Sequence, residues 1–105
     1  MKMIWAVIRW DKVKPVAQAL KGMGVSGCTI SRVRGYGEEW HIYEPLIHGG
    51  HYKLEVVVED NQTDEIAKQI GENAWTGLKG DGIVSVFDVR QVFKIRSKNT
   101  NTVSK

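Results

Sequence analysis

The chain has 105 residues, 42% of them hydrophobic and 26% charged, with a formal net charge of +3. This suffices for one domain with its own core and not for two; it excludes a disordered chain, and no apolar run approaches the ~20 residues of a membrane-spanning helix. Much of the positive charge falls late, at Lys94, Arg96, Lys98 and Lys105, which reads as a solvated basic terminus and not as the concentrated stripe of a nucleic-acid binder.

Residues 3–10, MIWAVIRW, are β-branched and aromatic, the pattern of a strand buried on much of both faces. The apolar N-terminus is too short for a signal peptide and lacks a small-residue cleavage site, so a cytoplasmic protein is expected. From Val13 the apolar positions 13, 16, 17 and 20 predict an amphipathic helix, with Pro15 tolerated in the first turn and Gly22 and Gly24 as the stop. A second strand is predicted from about Cys28 to Gly37. Cys28 is the single cysteine, without a partner for a disulfide or a zinc knuckle, and reads as a small buried hydrophobe.

Residues 38–51, EEWHIYEPLIHGGH, hold all three histidines, a proline and a glycine pair with no sustained period, the pattern of a binding loop. A third strand follows from Tyr52 to Glu59. Asp60 to Thr63 turns and caps a second helix with Ile66, Ala67, Ile70 and Ala74 on its buried stripe, running to about Trp75, with Asp64 and Glu65 suiting its first turn. Asn61-Gln62-Thr63 spells a glycosylation sequon that nothing in the chain sends to a secretory compartment. A glycine-rich stretch leads into a fourth strand, Ile83 to Asp88, and a short fifth within Val89 to Ile95, while the tail from Ser97 has too little apolar content to hold and is expected to fray.

The order β-α-β-loop-β-α-β with an extra terminal strand defines an α+β, ferredoxin-like domain over residues 1–96: an antiparallel sheet with both helices on one face, followed by a flexible tail, 97–105. Trp5 and Trp10 at the two ends of the first strand suggest that the other face is buried as well, most simply by further copies of the chain.

No catalytic set emerges: there is no nucleophile elbow, no lysine of a phosphate-binding helix and no H-E-x-x-H, so an enzyme is not expected. His41, His48 and His51 form a candidate metal set for zinc or copper, but a loop does not fix their geometry as a helix would, and partner-facing or solvated histidines are the simpler reading. The better signal is "TGLKGDGIVSVFDV", Thr76 to Val89, where Gly77, Gly80 and Gly82 surround Asp81. Backbone N–H groups in such a turn can converge on an anion, and Lys79 adds charge; a plain helix-to-strand connection is the equally weighted alternative.

Longer runs weigh on the choice. "TGLKGDGIVSVFDVRQVFKIR", Thr76 to Arg96, resembles the nucleotide-binding loop and final strands of the PII signal-transduction family. "TISRVRGYG", Thr29 to Gly37, is similar to that family's strand into its long T-loop, and "YKLEVVVEDNQTDEIAKQI", Tyr52 to Ile70, to the strand and helix after it. The resemblance covers nearly the whole chain except the loop and the tail.

The resemblance implies a homotrimer that binds adenine nucleotides, ATP, ADP or AMP, in clefts between subunits. It also implies control of a target protein, a transporter or metabolic enzyme, through a T-loop at about residues 38–51, often jointly with 2-oxoglutarate held through magnesium. Thr29, Gly35 and Gly37 would line the cleft from one subunit, Gly80, Asp81 and Gly82 would wrap the phosphates, and Lys94 and Arg96 would reach over from a neighbour. Lys53 would meet an effector carboxylate. Two departures bear on preference. Ile83 stands where the family carries a phosphate-binding lysine, and Glu38 and Glu39 where it carries an arginine and a metal-liganding glutamine. A carboxylate facing a terminal phosphate opposes it. The chain therefore looks like a divergent relative with a shortened T-loop, preferring ADP or AMP at least as well as ATP, with a small anion such as bicarbonate or 2-oxoglutarate as second effector. Neither nucleic-acid binding nor membrane insertion is expected; a metal-binding module without nucleotide sensing is the alternative.

Overall fold

A computed structural model describes residues 1–35 and 50–96 in full and 99–101 as backbone. Strand β1, Lys2–Arg9, leads through a 3-10 turn, Trp10–Lys12, into helix α1, Val13–Gly22, and then into β2, Thr29–Val33. Strand β3, His51–Val58, precedes a second 3-10 turn, Asp60–Gln62, helix α2, Thr63–Ala74, and β4, Gly82–Asp88. Strands β5, Val92–Lys94, and β6, Asn99–Asn101, pair as a separate ribbon.

The main sheet has the order β2-β3-β1-β4, and every neighbouring pair is antiparallel. Each helix thus joins two parallel strands that flank a third, the split βαβ arrangement expected from the element order. Alternation along the strands decides what is covered. Ile4, Ala6 and Ile8 of β1 and Leu54, Val56 and Val58 of β3 join Val16 and Leu20 of α1 and Ile66, Ile70 and Ala74 of α2 in one core. Every one of these is at most 5% exposed, and burying each large aliphatic side chain stabilises the fold by about 2 kcal/mol.

The opposite parity gives the uncovered face, on which Met3, Trp5, Val7 and Arg9 of β1 lie opposite Val57, Glu55, Lys53 and His51 of β3. Ile83 and Phe87 of β4 lie beside Val7 and Met3 there and are 52% and 48% exposed. Trp10, expected at the end of the first strand, lies beyond it in the 3-10 turn and is exposed.

The helix ends have local causes. Pro15 occupies the first turn of α1, where its missing N–H loses no intrahelical bond. At the other end Gly24, at φ +83°, carries the stop. Its N–H donates to the Lys21 carbonyl and that of Val25 to the Leu20 carbonyl, the paired bonds of a Schellman cap. Gly22, expected to share the stop, is the last helical residue.

Helix α2 has no side-chain cap, contrary to the expected capping by Asp60 to Thr63. Thr63 is already helical, and its hydroxyl donates back to the Glu59 carbonyl at 3.0 Å. Cys28, expected to be buried, packs only half-buried against the core, and that burial pushes its thiol pKa up. The strand Asn99–Asn101 differs from the frayed tail expected from Ser97, because backbone pairing with β5 asks nothing of side-chain hydropathy.

Candidate functional site

The glycine-rich connection between α2 and β4 is closed on itself by one side chain. The Asp81 carboxylate accepts from the Thr76 N–H at 2.8 Å, the Gly77 N–H at 2.9 Å, the Thr76 hydroxyl, and Arg9 Nε at 3.0 Å. Burial would raise the Asp81 pKa, but these donors together outweigh it and hold the carboxyl down at about 2. The Leu78 N–H donates to the Thr76 hydroxyl oxygen and tightens the same turn. Asp81 is thus the organiser of the loop, its oxygens turned onto the loop's own donors.

Two side chains at one end of the uncovered face hold the loop from the sheet side. Arg9 Nη2 donates to the Lys79 carbonyl, and His51 Nε2 lies 2.7 Å from the Gly80 carbonyl. A carbonyl only accepts, so Nε2 carries the proton in this contact. Arg9 and His51 are register partners across β1 and β3, which is why adjacent loop carbonyls meet adjacent donors.

Gly82, where the loop becomes β4, has φ +103°, and a Cβ there would fall 1.8 Å from the Val7 carbonyl oxygen. No other residue fits at that position. Gly77, at φ +83°, lies under the Trp75 ring, 3.0 Å from where its Cβ would be.

Strand β2 carries the remaining residues of the set to two separate places. Gly35, just beyond it, lines a cavity of about 300 Å³ on the uncovered face with Arg34, His51, Lys53, Trp5 and Ile83, beside the glycine loop. Thr29, at its start, lines a different cavity of about 350 Å³ with Cys28, Glu55 and Lys94. Thr29 and Val33 are four residues apart, roughly 13 Å at about 3.3 Å per residue. Within one chain, then, Thr29 accompanies Lys94 and not Gly35, whereas the family resemblance implies Thr29 with Gly35 and Lys94 from a neighbour. The reason is strand polarity: β2 runs from one end of the sheet to the other between the two positions.

Arg96, just beyond β5, is exposed. Lys53 stands on the uncovered face 3.7 Å from the Glu55 carboxylate. Gly37, Glu38, Glu39, His41 and His48 lie outside the described residues, as does nearly all of the loop 38–51.

His51, expected on that loop, is the first residue of β3 and only 4% exposed, with Nε2 engaged by Gly80. Among the described residues no group of three His, Cys, Asp or Glu is gathered to hold a metal ion. Arg9 and Thr76 were not among the expected site residues. Arg9 left a signal, being the one charge in an otherwise apolar strand, Met3 to Trp10.

A split βαβ sheet with one face free of helices, and a glycine loop tied onto the end of that face, define a small ferredoxin-like domain. The model of the family described as nitrogen regulatory protein P-II matches residues 1–99. The chain belongs to that family, whose members are regulatory signalling proteins. It is 38% identical to a nitrogen regulatory protein P-II of Pasteurella multocida over 96% of both chains. It is 39% identical to one of Microchaete diplosiphon over 97% of both, and 31% identical to the nitrogen regulatory protein GlnK of Escherichia coli K12 over 92% of this chain and 93% of the other.

Proposed function

We propose that this chain is a non-enzymatic, cytoplasmic PII-like regulator that binds adenine nucleotides between the subunits of a homotrimer and controls a target protein through residues 38–51. The observation that carries the reading is the division of the candidate residues. Gly35 lines a cavity with His51, which bonds the Gly80 carbonyl of the loop, at one end of the sheet, and Thr29 with Lys94 lines another at the far end, so a cleft using both groups draws them from two copies. The uncovered face supports assembly, because exposed Ile83 and Phe87 with half-buried Trp5 leave an apolar surface that further copies would bury.

Nucleotide preference follows from Ile83. It stands one residue after Gly82, half exposed beside the loop, and offers a terminal phosphate no charge-assisted hydrogen bond. ADP or AMP therefore binds at least as well as ATP. Glu38 and Glu39 offer the oxygen ligands magnesium takes, and Lys53 a cation for a small anionic effector such as bicarbonate or 2-oxoglutarate.

Calorimetry with AMP, ADP and ATP on protein whose mass is checked by ultracentrifugation tests the reading. A trimer is expected, with ADP or AMP affinity equal to or above that of ATP. An intact trimer giving no heat with any of the three, or ATP binding tenfold more tightly than ADP, would overturn it. Ile83→Lys should shift the ATP-to-AMP affinity ratio about tenfold toward ATP, about 1.4 kcal/mol.

A further inference from the structure

We infer that Arg9 and His51 are positioning residues that set the phosphate affinity of the glycine loop without touching the ligand, an inference that rests on the nucleotide reading above. The peptide unit is planar and trans, so each C=O points opposite to the N–H of the next residue. Arg9 draws the Lys79 carbonyl, and His51 the Gly80 carbonyl, onto the uncovered face. The N–H groups of Gly80 and Asp81 are thereby turned away from Arg9 and His51. Two successive N–H groups aimed alike are the element from which a backbone anion site is made.

The two donors are not equivalent. The Arg9 contact to Lys79 is exposed, and water replaces it only in part, without the guanidinium's charge. His51 and Gly80 are both buried, so no water stands in for a lost imidazole, and the peptide must turn to find another donor. Asp81 does not restrain that turn fully. Its carboxylate fixes the start of the loop at Thr76 and Gly77, whereas the 80–81 peptide is held by His51. A glycine at position 80, already at φ +91°, lets the peptide rotate at little cost once its donor is gone.

The consequence is specific to phosphate. Adenosine has no anion to place on those N–H groups; ADP has two phosphates. The test is calorimetry with adenosine and with ADP on wild type, His51→Leu and His51→Gln, each confirmed folded by circular dichroism and of unchanged mass. His51→Leu should lower the ADP-to-adenosine affinity ratio about tenfold, the loss falling on ADP, and His51→Gln, which keeps a side-chain N–H donor, should restore most of it. A ratio unchanged in His51→Leu, or affinities for both ligands falling equally, overturns the inference while leaving nucleotide binding intact. Wild type that binds neither ligand overturns the nucleotide reading and the inference with it. Should His51→Leu fail to fold, Arg9→Gln, at the exposed contact, carries the same expectation with a smaller drop, and an unchanged ratio there overturns the inference equally.

Discussion

At the end of the uncovered face where β3 begins, Arg9, His51, Thr76 and Asp81 are tied to one another and to the glycine loop, and a single added methyl at Gly82 would run into the β1 backbone. At the far end, Thr29, Cys28, Glu55 and Lys94 line a cavity of comparable size. The first end is shaped before any ligand arrives. The second presents exposed side chains, Thr29 on β2 and Lys94 on the short ribbon, which can adjust to what is laid against them. A cleft made from one end of each kind joins a rigid half to an adaptable half, which reduces the ordering cost of binding while leaving one side to respond.

Substitutions at the two ends should separate them sharply. Gly82→Ala carries the largest expected effect: a Cβ 1.8 Å from the Val7 carbonyl oxygen, at φ +103°, forces β4 away from β1. A cost of about 4 kcal/mol or more is expected, read as a collapse of the urea midpoint. An unchanged midpoint would show that the rigid end is not rigid.

Next comes Asp81. Its folded pKa lies at about 2 against an ordinary 3.8, so the unfolded chain binds the proton more readily, and the stability it supplies is present above about pH 4 and lost as pH falls toward 2. Its side chain is only 20% exposed, and the shift amounts to about 2 kcal/mol. Urea unfolding at pH 6 and at pH 3 should show that loss beginning in wild type, with Asp81→Asn less stable at pH 6 and flatter between the two; equal slopes would remove Asp81 from its organising place. Smallest in stability is Thr29→Val at the adaptable end, expected to stay within about 0.5 kcal/mol of wild type while weakening ADP binding several-fold. A large loss of thermal stability there would erase the contrast between the ends.

Most of the fold was legible because periodicity reports which face is buried. The apolar positions of α1 and α2, and the alternation in Tyr52 to Glu59, placed two helices and four strands in the right order. Edges were less legible where one residue belongs to two patterns. His51 reads as loop in a run of Gly-Gly-His, yet it continues the parity of Lys53 and Glu55 and enters β3. The site was legible in kind and not in arrangement. A glycine loop around Asp81 stands out in the sequence, but whether that carboxylate faces a ligand or its own loop depends on Thr76 and on Arg9, seventy-two positions away. The company Thr29 keeps was not readable either, because β5 is brought to it by tertiary packing that no local spacing encodes.

The close approach of Gly82 to Val7 has a consequence for how such a protein can be retuned. Position 82 admits no side chain, Asp81 is committed to holding its own loop, and the Gly80 carbonyl is claimed by His51. Ile83 is the first residue past the loop that is free to vary, and it sits in register with Val7 and, through Val7, with Lys53. One side chain exchanged at that row would change the ligand's surroundings without disturbing the scaffold that presents it. The immovable glycine thus turns its neighbour into the adjusting screw of the site.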